Sequence, residues 1–299
     1  MKVLPFKKID AFTNGTSSGN PAGYITMNPS ELLSLAEMQQ IAVELKGFVN
    51  EVGYVCRLPD RVKLQFYSSE CEVAFCGHAL IAIMNDLLRN DPVLNAQKEV
   101  AIEVGAGPLT VFNDLSETDA VYIMAPEPQF LPCPVNVDEV VAALGTVADE
   151  IHSGYPIRLI DGGLRTLLVP MKTLNGCLKL FPHQESLRQF CLGHGIDIIH
   201  VSVEETVCSN SQYRTRVFAP KYGYLEDPAT GSGNSAFGYY LIDENRWNSD
   251  MTIEQGASRD NPNFVKLKRY TSDGKSRMLF GGGATTRIDG VYQLHSVSV

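Results

Sequence analysis

Two short junctions in the chain carry residue types that suit acid–base chemistry. Cys76-Gly77-His78 runs into the apolar stretch Ala79-Leu80-Ile81-Ala82-Ile83-Met84, and Thr230-Gly231-Ser232-Gly233 leads to Ala236-Phe237-Gly238-Tyr239-Tyr240-Leu241. A glycine turn that opens a helix exposes backbone N–H groups with no partner inside the helix. That end is partly positive and binds carboxylate or phosphate without a basic side chain. The amides of Gly77, His78, Gly231 and Ser232 could therefore hold a substrate carboxylate and stabilise an enolate formed beside it. His78 could exchange protons near neutrality. Asp227, just before Pro228 and Thr230, could hold an ammonium group or relay protons; a turn or cap role suits it too. Glu51 sits in the apolar stretch Phe48-Val49-Asn50-Glu51-Val52-Gly53-Tyr54-Val55. Burial there would raise its pKa, as a general base for a carbon acid requires. An outward-facing strand residue is the plainer alternative.

The elements that must position these residues repeat along the chain. Ile9-Asp10 recurs as Ile160-Asp161, and Ile-Glu-x-Gly-Ala occurs at 102–106 and 253–257. Both pairs are offset by 151 residues. Between them, Leu64-Gln65-Phe66 with its following junction matches Arg216-Val217-Phe218 and the second junction, the junctions being offset by 154. Three matches in the same order predict duplicated halves. Each half reads as strand, strand, helix, two strands, a glycine loop, an apolar helix and further strands. The strands expected are 2–11, 22–27, 52–57, 62–68, 99–105, 108–113 and 120–125, then 155–161, 165–171, 198–203, 213–219, 264–270, 277–281 and 285–292. Ser30 reads as the N-cap of a helix reaching Lys46, and a second helix is expected over 183–194. The apolar helices lack a polar face, so each should be buried against its sheet. The Pro-rich stretch Pro126–Pro134 reads as the linker.

Length and composition bound the remaining possibilities. At 299 residues, two domains are expected. With 25 Lys and Arg against 34 Asp and Glu, the net charge is −9, which argues against nucleic acid or an anionic membrane as partner. Lys266-Leu267-Lys268-Arg269 alternates as an exposed strand face does. Seven cysteines without a CxxC pair fit reduced thiols in a cytoplasmic protein better than disulfides or structural zinc. No signal peptide or membrane-length apolar run is visible, and no metal-binding motif. Gly231-Ser-Gly233-Asn-Ser-Ala236 has dinucleotide-loop spacing but follows Leu225-Glu226-Asp227-Pro228 rather than a buried strand. Gly15-Thr16-Ser17-Ser18-Gly19 has nucleophile-elbow spacing but precedes Asn20-Pro21 instead of a helix.

At these residues the sequence resembles the PhzF-like isomerases, named for a phenazine biosynthesis enzyme. The resemblance is carried by Ile9-Asp10-Ala11-Phe12-Thr13, Gly19-Asn20-Pro21-Ala22-Gly23, Cys76-Gly77-His78-Ala79, Glu226-Asp227-Pro228-Ala229-Thr230-Gly231-Ser232-Gly233, Glu254-Gln255-Gly256 and Gly281-Gly282-Gly283-Ala284. It implies an α+β, diaminopimelate epimerase-like fold: two pseudo-symmetric domains, each a mixed or antiparallel sheet curled around a central helix. The expected domains are 1–128, completed by a strand from about 283–299, and 129–282. It further implies a site in the cleft between the domains, no metal or organic cofactor, and commonly a homodimer.

The resemblance casts Glu51 as the base that moves a proton near the carboxylate of a small cyclic amino or hydroxy acid. His78 and Asp227 are its catalytic companions, and Gly77, Gly231, Ser232, Cys76, Thr230 and Asn20 contact the substrate. The chain departs from the family at Asn50-Glu51-Val52 and looks two residues longer before Glu51, which makes Glu44 a second candidate base. Arg259-Asp260-Asn261-Pro262 also departs from the family pattern. Diaminopimelate epimerase uses two cysteines, and the matching positions here are Cys76 and Thr230. A racemase, epimerase or hydroxyproline-type dehydratase using that pair is the alternative, and an inactive small-molecule-binding member the next.

Overall fold

The computed structural model describes residues 1–29, 32–272 and 274–295, with backbone alone at Ser272. The chain divides into two compact units, one of Met1–Ile123 with the segment from Gly281 onward, the other of Met124–Phe280. Among the described residues no helix is long and apolar enough to cross a membrane.

In the first unit one ladder runs through most of the strands. Ala284–Leu294 pairs antiparallel with Lys2–Ala11, which pairs antiparallel with Asn20–Met27. Asn20–Met27 runs parallel to Glu51–Arg57, and that strand antiparallel to Val62–Ser68. Val62–Ser68 is parallel to Glu99–Val104, and antiparallel pairing continues through Gly107–Asp114 to Ala120–Met124. Helix Gly77–Asn90 buries every residue from Ala79 to Leu88. An apolar helix without a polar face can be stable only when enclosed in this way. The one carboxylate in that run, Asp86, takes hydrogen bonds from Lys7 Nζ (2.9 Å), Tyr24 Oη (2.5 Å) and Thr286 Oγ1 (3.1 Å). The buried charge is thus paired, and it ties the helix to three strands.

The second unit repeats these ladder directions. Arg158–Asp161 and Arg165–Pro170 are antiparallel, Arg165–Pro170 and Ile198–Val203 parallel, and Ile198–Val203 and Tyr213–Phe218 antiparallel. Tyr213–Phe218 then runs parallel to Met251–Gln255. Helix Gly231–Asp243 is the buried counterpart of Gly77–Asn90.

Register fixes the duplication to the residue. Val62 faces Ile102 in one unit and Tyr213 faces Ile253 in the other, both members shifted by 151. The helix N-caps are Cys76 and Thr230, with nearly equal backbone angles (φ −135°, ψ 103° and φ −125°, ψ 103°). Their offset of 154 reflects a loop three residues longer in the second unit. The ladder also corrects one match read from the sequence, because at an offset of 151 Phe66 corresponds to Val217 and not to Phe218. The two Phe residues look alike, but a one-residue slip would turn every side chain to the other sheet face.

Two further expectations need adjustment. Ser30 lies outside the described residues, and the first helix runs Leu35–Glu44 with Ser34 as N-cap in a capping box with Glu37. The Pro-rich stretch contains a strand, Gln129–Leu131, antiparallel to Arg158–Asp161.

Gly281 shows how tightly the first unit is packed. A Cβ there would lie 2.0 Å from the Val121 carbonyl oxygen, a backbone atom with no freedom to swing away. Gly281→Ala is expected to destabilise by about 3 kcal/mol or more, the upper end for overpacking. Gly290→Ala meets nothing within 4 Å and should be near neutral. Urea unfolding midpoints of the two variants test the contrast.

Candidate functional site

Glu51 opens a central strand of the first unit, and Gly53 lies two residues on, on the same sheet face. A Cβ at Gly53 would sit 2.3 Å from Ile83 Cδ1, so the missing side chain lets helix Gly77–Asn90 lie close against this strand. The approach brings Glu51 to the start of that helix. Its Oε2 lies 3.2 Å from His78 Nε2, and His78 Nδ1 lies 3.6 Å from Cys76 Sγ. Glu51 Oε2 and His78 Nε2 are both buried atoms, and despite their short separation neither completes an aligned hydrogen bond. They are paired by charge and still have hydrogen-bonding capacity.

The electrostatics set the protonation states. Burial alone would push Glu51 up, but the hydrogen-bonding capacity and charge of His78 outweigh it and hold the carboxyl below its ordinary 4.5. Burial also opposes charge on His78, yet Cys76 and Glu51 beside it hold its pKa well above 6.5. The raised Glu51 pKa expected from the apolar neighbours is therefore corrected, because the sequence does not reveal the imidazole across from it. Burial pushes the Cys76 thiol up, with His78 opposing and Glu51 adding. Near neutrality Glu51 is thus a carboxylate facing an imidazolium at His78.

The donor atoms of Glu51, Cys76 and His78 lie within 4.8 Å of one another and so could hold a metal ion. His78, however, meets Cys76 through Nδ1 and Glu51 through Nε2, on opposite sides of its ring. An ion held by all three would use one ring nitrogen and break the contact made by the other.

In the second unit the corresponding helix start is organised around Thr230. Its hydroxyl donates to Asp227 Oδ2. Gln255 braces the loop from behind: its Oε1 accepts from Thr230 N–H (2.9 Å), and its Nε2 donates to the Asp227 carbonyl (2.9 Å) and to Thr230 Oγ1 (3.0 Å). Gly231 packs where a Cβ would meet the Phe280 ring at 2.2 Å. Neither N-cap side chain bonds its own helix start. The first intrahelical bonds are Leu80 N–H to Cys76 O and Asn234 N–H to Thr230 O. The amides of Gly77 and His78, and of Gly231 and Ser232, precede them and have no intrahelical partner.

Most residues singled out by the sequence fall into these two groups. In the first unit Glu51, Cys76, Gly77 and His78 come together, and Asn20 is buried at the start of the strand that pairs Ala22 with Glu51. In the second, Asp227, Thr230, Gly231 and half-buried Ser232 share the helix start. Glu44 is elsewhere: it is exposed in the last turn of its helix and bonded to Tyr292 and Gln40. Gln255, Asn234 and His200 are participants that sequence reasoning passes over. Gln255 was signalled by the Glu254-Gln255-Gly256 segment of the resemblance and as the variable position of the Ile-Glu-x-Gly-Ala repeat, where the first unit has Val104, but neither gave it a role.

Comparison with known proteins adds a family. The family described as phenazine biosynthesis-like protein, PhzC-PhzF, matches residues 9–290. An uncharacterized isomerase of Bacillus subtilis, YfhB, is 28% identical over 297 residues, covering 96% of this chain and 99% of its own. The crystal structure of the Bacillus anthracis phenazine biosynthesis protein of the PhzF family superposes with a TM-score of 0.84 at 24% identity, covering 98% of this chain and 100% of that one. A probable proline racemase from Agrobacterium radiobacter shares the fold at a TM-score of 0.61 and 14% identity, covering 98% and 93%. The α+β architecture is thus that of the proline racemase and diaminopimelate epimerase-like proteins.

Proposed function

The chain belongs to the phenazine biosynthesis-like family, and from that premise we propose that it is an isomerase moving a proton at a carbon α or vinylogous to a carboxylate. The observation that carries this reading is the 3.2 Å approach of the Glu51 carboxylate to His78 at an uncapped helix start. Glu51 is ionised and can accept a proton. The electron pair left on carbon passes into the adjacent carboxylate as an enolate, which the Gly77 and His78 amides stabilise. Where a C=C is conjugated with that carboxylate, the proton returns to a different carbon, either from Glu51 or from the His78 imidazolium, which Glu51 then reprotonates across 3.2 Å, so that atoms and charge balance without a further reactant. Asp227 and Thr230 suit an ammonium or hydroxyl group, which favours a small amino or hydroxy acid as substrate. Incubation in D2O with a panel of cyclic and linear amino and hydroxy acids, followed by NMR, tests the proposal. Loss of a C–H signal from one of them supports it, and a panel left wholly protiated sinks it.

One observation favours a second reading. Cys76 and Thr230 hold equivalent N-cap positions, as a pair acting on opposite faces of one carbon would. Against it, the Thr230 hydroxyl is committed to Asp227 and burial pushes the Cys76 thiol up. Under iodoacetamide at pH 7.5 or so, Cys71 and Cys133, both exposed, are expected to label first. Cys76 should label slowly with buried Cys56, Cys177 and Cys191. Preferential labelling of Cys76 would promote the racemase reading over the first.

A further inference from the structure

The loop that carries Asp227 and Thr230 is backed by a chain of fully buried polar side chains reaching His200. Asn234 Nδ2 donates to Gln255 Oε1 (2.7 Å) and to the Thr230 carbonyl (2.8 Å). Its Oδ1 lies 3.2 Å from His200 Nε2. His200, Asn234 and Gln255 are all 0% exposed. Burying so many polar groups is costly even when most are bonded, and His200 Nδ1 completes no hydrogen bond.

The duplicated fold shows that the architecture does not need them. By strand register and N-cap equivalence, the first unit has Gly53 where the second has His200, Leu80 for Asn234 and Val104 for Gln255. It likewise has Val73 for Asp227. The same backbone closes around apolar and small residues in one unit and around a hydrogen-bonded chain in the other. The chain therefore serves something specific to the second half.

Every donor in it has one possible direction, fixed by backbone groups that cannot exchange roles. The Thr230 N–H can only donate and the Asp227 carbonyl can only accept, so Gln255 must present Oε1 to the first and Nε2 to the second. The Thr230 carbonyl and Gln255 Oε1 both accept, so Asn234 must turn Nδ2 to them and Oδ1 to His200. His200 must then carry its proton on Nε2. At the other end Gln255 Nε2 donates to Thr230 Oγ1, which leaves the hydroxyl proton one destination, Asp227.

We propose that His200, Asn234 and Gln255 are positioning residues that lock the polarity of the Thr230–Asp227 pair, so that Asp227 faces the substrate as an acceptor for an ammonium or hydroxyl group. The catalytic part of this inference rests on the reading above, in which the loop meets substrate. Burial drives the His200 pKa down to about 4, against its bond to Asn234, which keeps the ring neutral as the chain requires.

Two measurements test the relay, and the first needs no substrate. Long-range 1H–15N correlation at pH 7, with His200 assigned through His200→Gln, is expected to find His200 as the neutral Nε2–H tautomer. An Nδ1–H tautomer or a charged ring overturns the proposal. The second takes the panel acid that exchanges best and compares wild type with Gln255→Glu. The ionised carboxylate that this substitution introduces cannot donate, so the Thr230 hydroxyl is left between two carboxylates. Exchange is expected to fall about 10- to 100-fold in kcat at pH 8 and to recover as acidification restores an O–H donor, with KM changed less. A purely structural residue would lower activity without inverting the pH profile, and a Gln255→Glu profile parallel to wild type overturns the positioning role. Absence of exchange in the wild-type protein would remove the isomerase reading alone, and the tautomer would still decide the relay.

Discussion

Glu51→Gln is expected to abolish proton exchange, lowering it by about three orders of magnitude, within the range that one general base supplies. The substitution keeps the size and shape of the side chain and removes only its capacity to take a proton. The fold should tolerate it, since the position opens a strand and is half-buried rather than enclosed. Glu44→Gln supplies the contrast, because Glu44 is exposed and bonded to Tyr292 and Gln40. It should retain full exchange. Deuterium incorporation into the best panel acid, followed over time, reads both variants. Retained exchange in Glu51→Gln together with loss in Glu44→Gln would transfer the base to the other carboxylate and undo the site as described.

That contrast also marks how far the sequence could be read. It offered two glutamates because the stretch before Glu51 is longer than the family pattern, and no linear argument chooses between them. What favours Glu51 is a sheet: Ala22 pairs with Glu51, Gly53 admits Ile83, and the helix start arrives at Glu51 with His78. The duplicated halves were legible because strand and helix positions keep their apolar pattern at a nearly constant offset. The details that failed were those decided by partners remote in sequence. Burial around Glu51 suggested a raised pKa, but the imidazole opposite it reverses the sign. Nothing in the sequence singles out His200, because its partner Asn234 lies 34 positions away. A slip of one residue between Phe66 and Phe218 was invisible to composition and obvious in the ladder.

The two halves have also diverged in a chemically coherent way. By ladder register Glu51 corresponds to Ile198, so only the first unit has a carboxylate at that strand start. Thr230, with Asp227 and Gln255, corresponds to Cys76 and two valines. One unit sets a carboxylate against an imidazole near its helix start, and the other sets a carboxylate against a hydroxyl whose hydrogen-bond direction is fixed. Symmetric racemase chemistry would instead place matching acid–base groups on both.

Exchange is expected to hold a wide plateau through neutrality and to fall on both sides of it. Glu51 has a folded pKa below 4.5, so the carboxylate persists until pH falls through that lowered value. His78 has a folded pKa well above 6.5, so the imidazolium persists until pH rises through that raised value. Stability follows the same signs. The Glu51 contribution is present above its unfolded pKa and is lost toward acid, while the His78 contribution is present below its unfolded pKa and is lost toward base. Removing the imidazole separates the two effects. In His78→Gln nothing opposes the burial of Glu51, so the acid limb should move up by about one unit or more. Exchange at pH 5 relative to pH 8 should then be lower in His78→Gln than in the wild type. The pH profiles of kcat for the two proteins measure this directly. An acid limb that stays in place in His78→Gln would show that Glu51 is held ionised by something other than the imidazole 3.2 Å away, and the proton would then have to return from Glu51 alone.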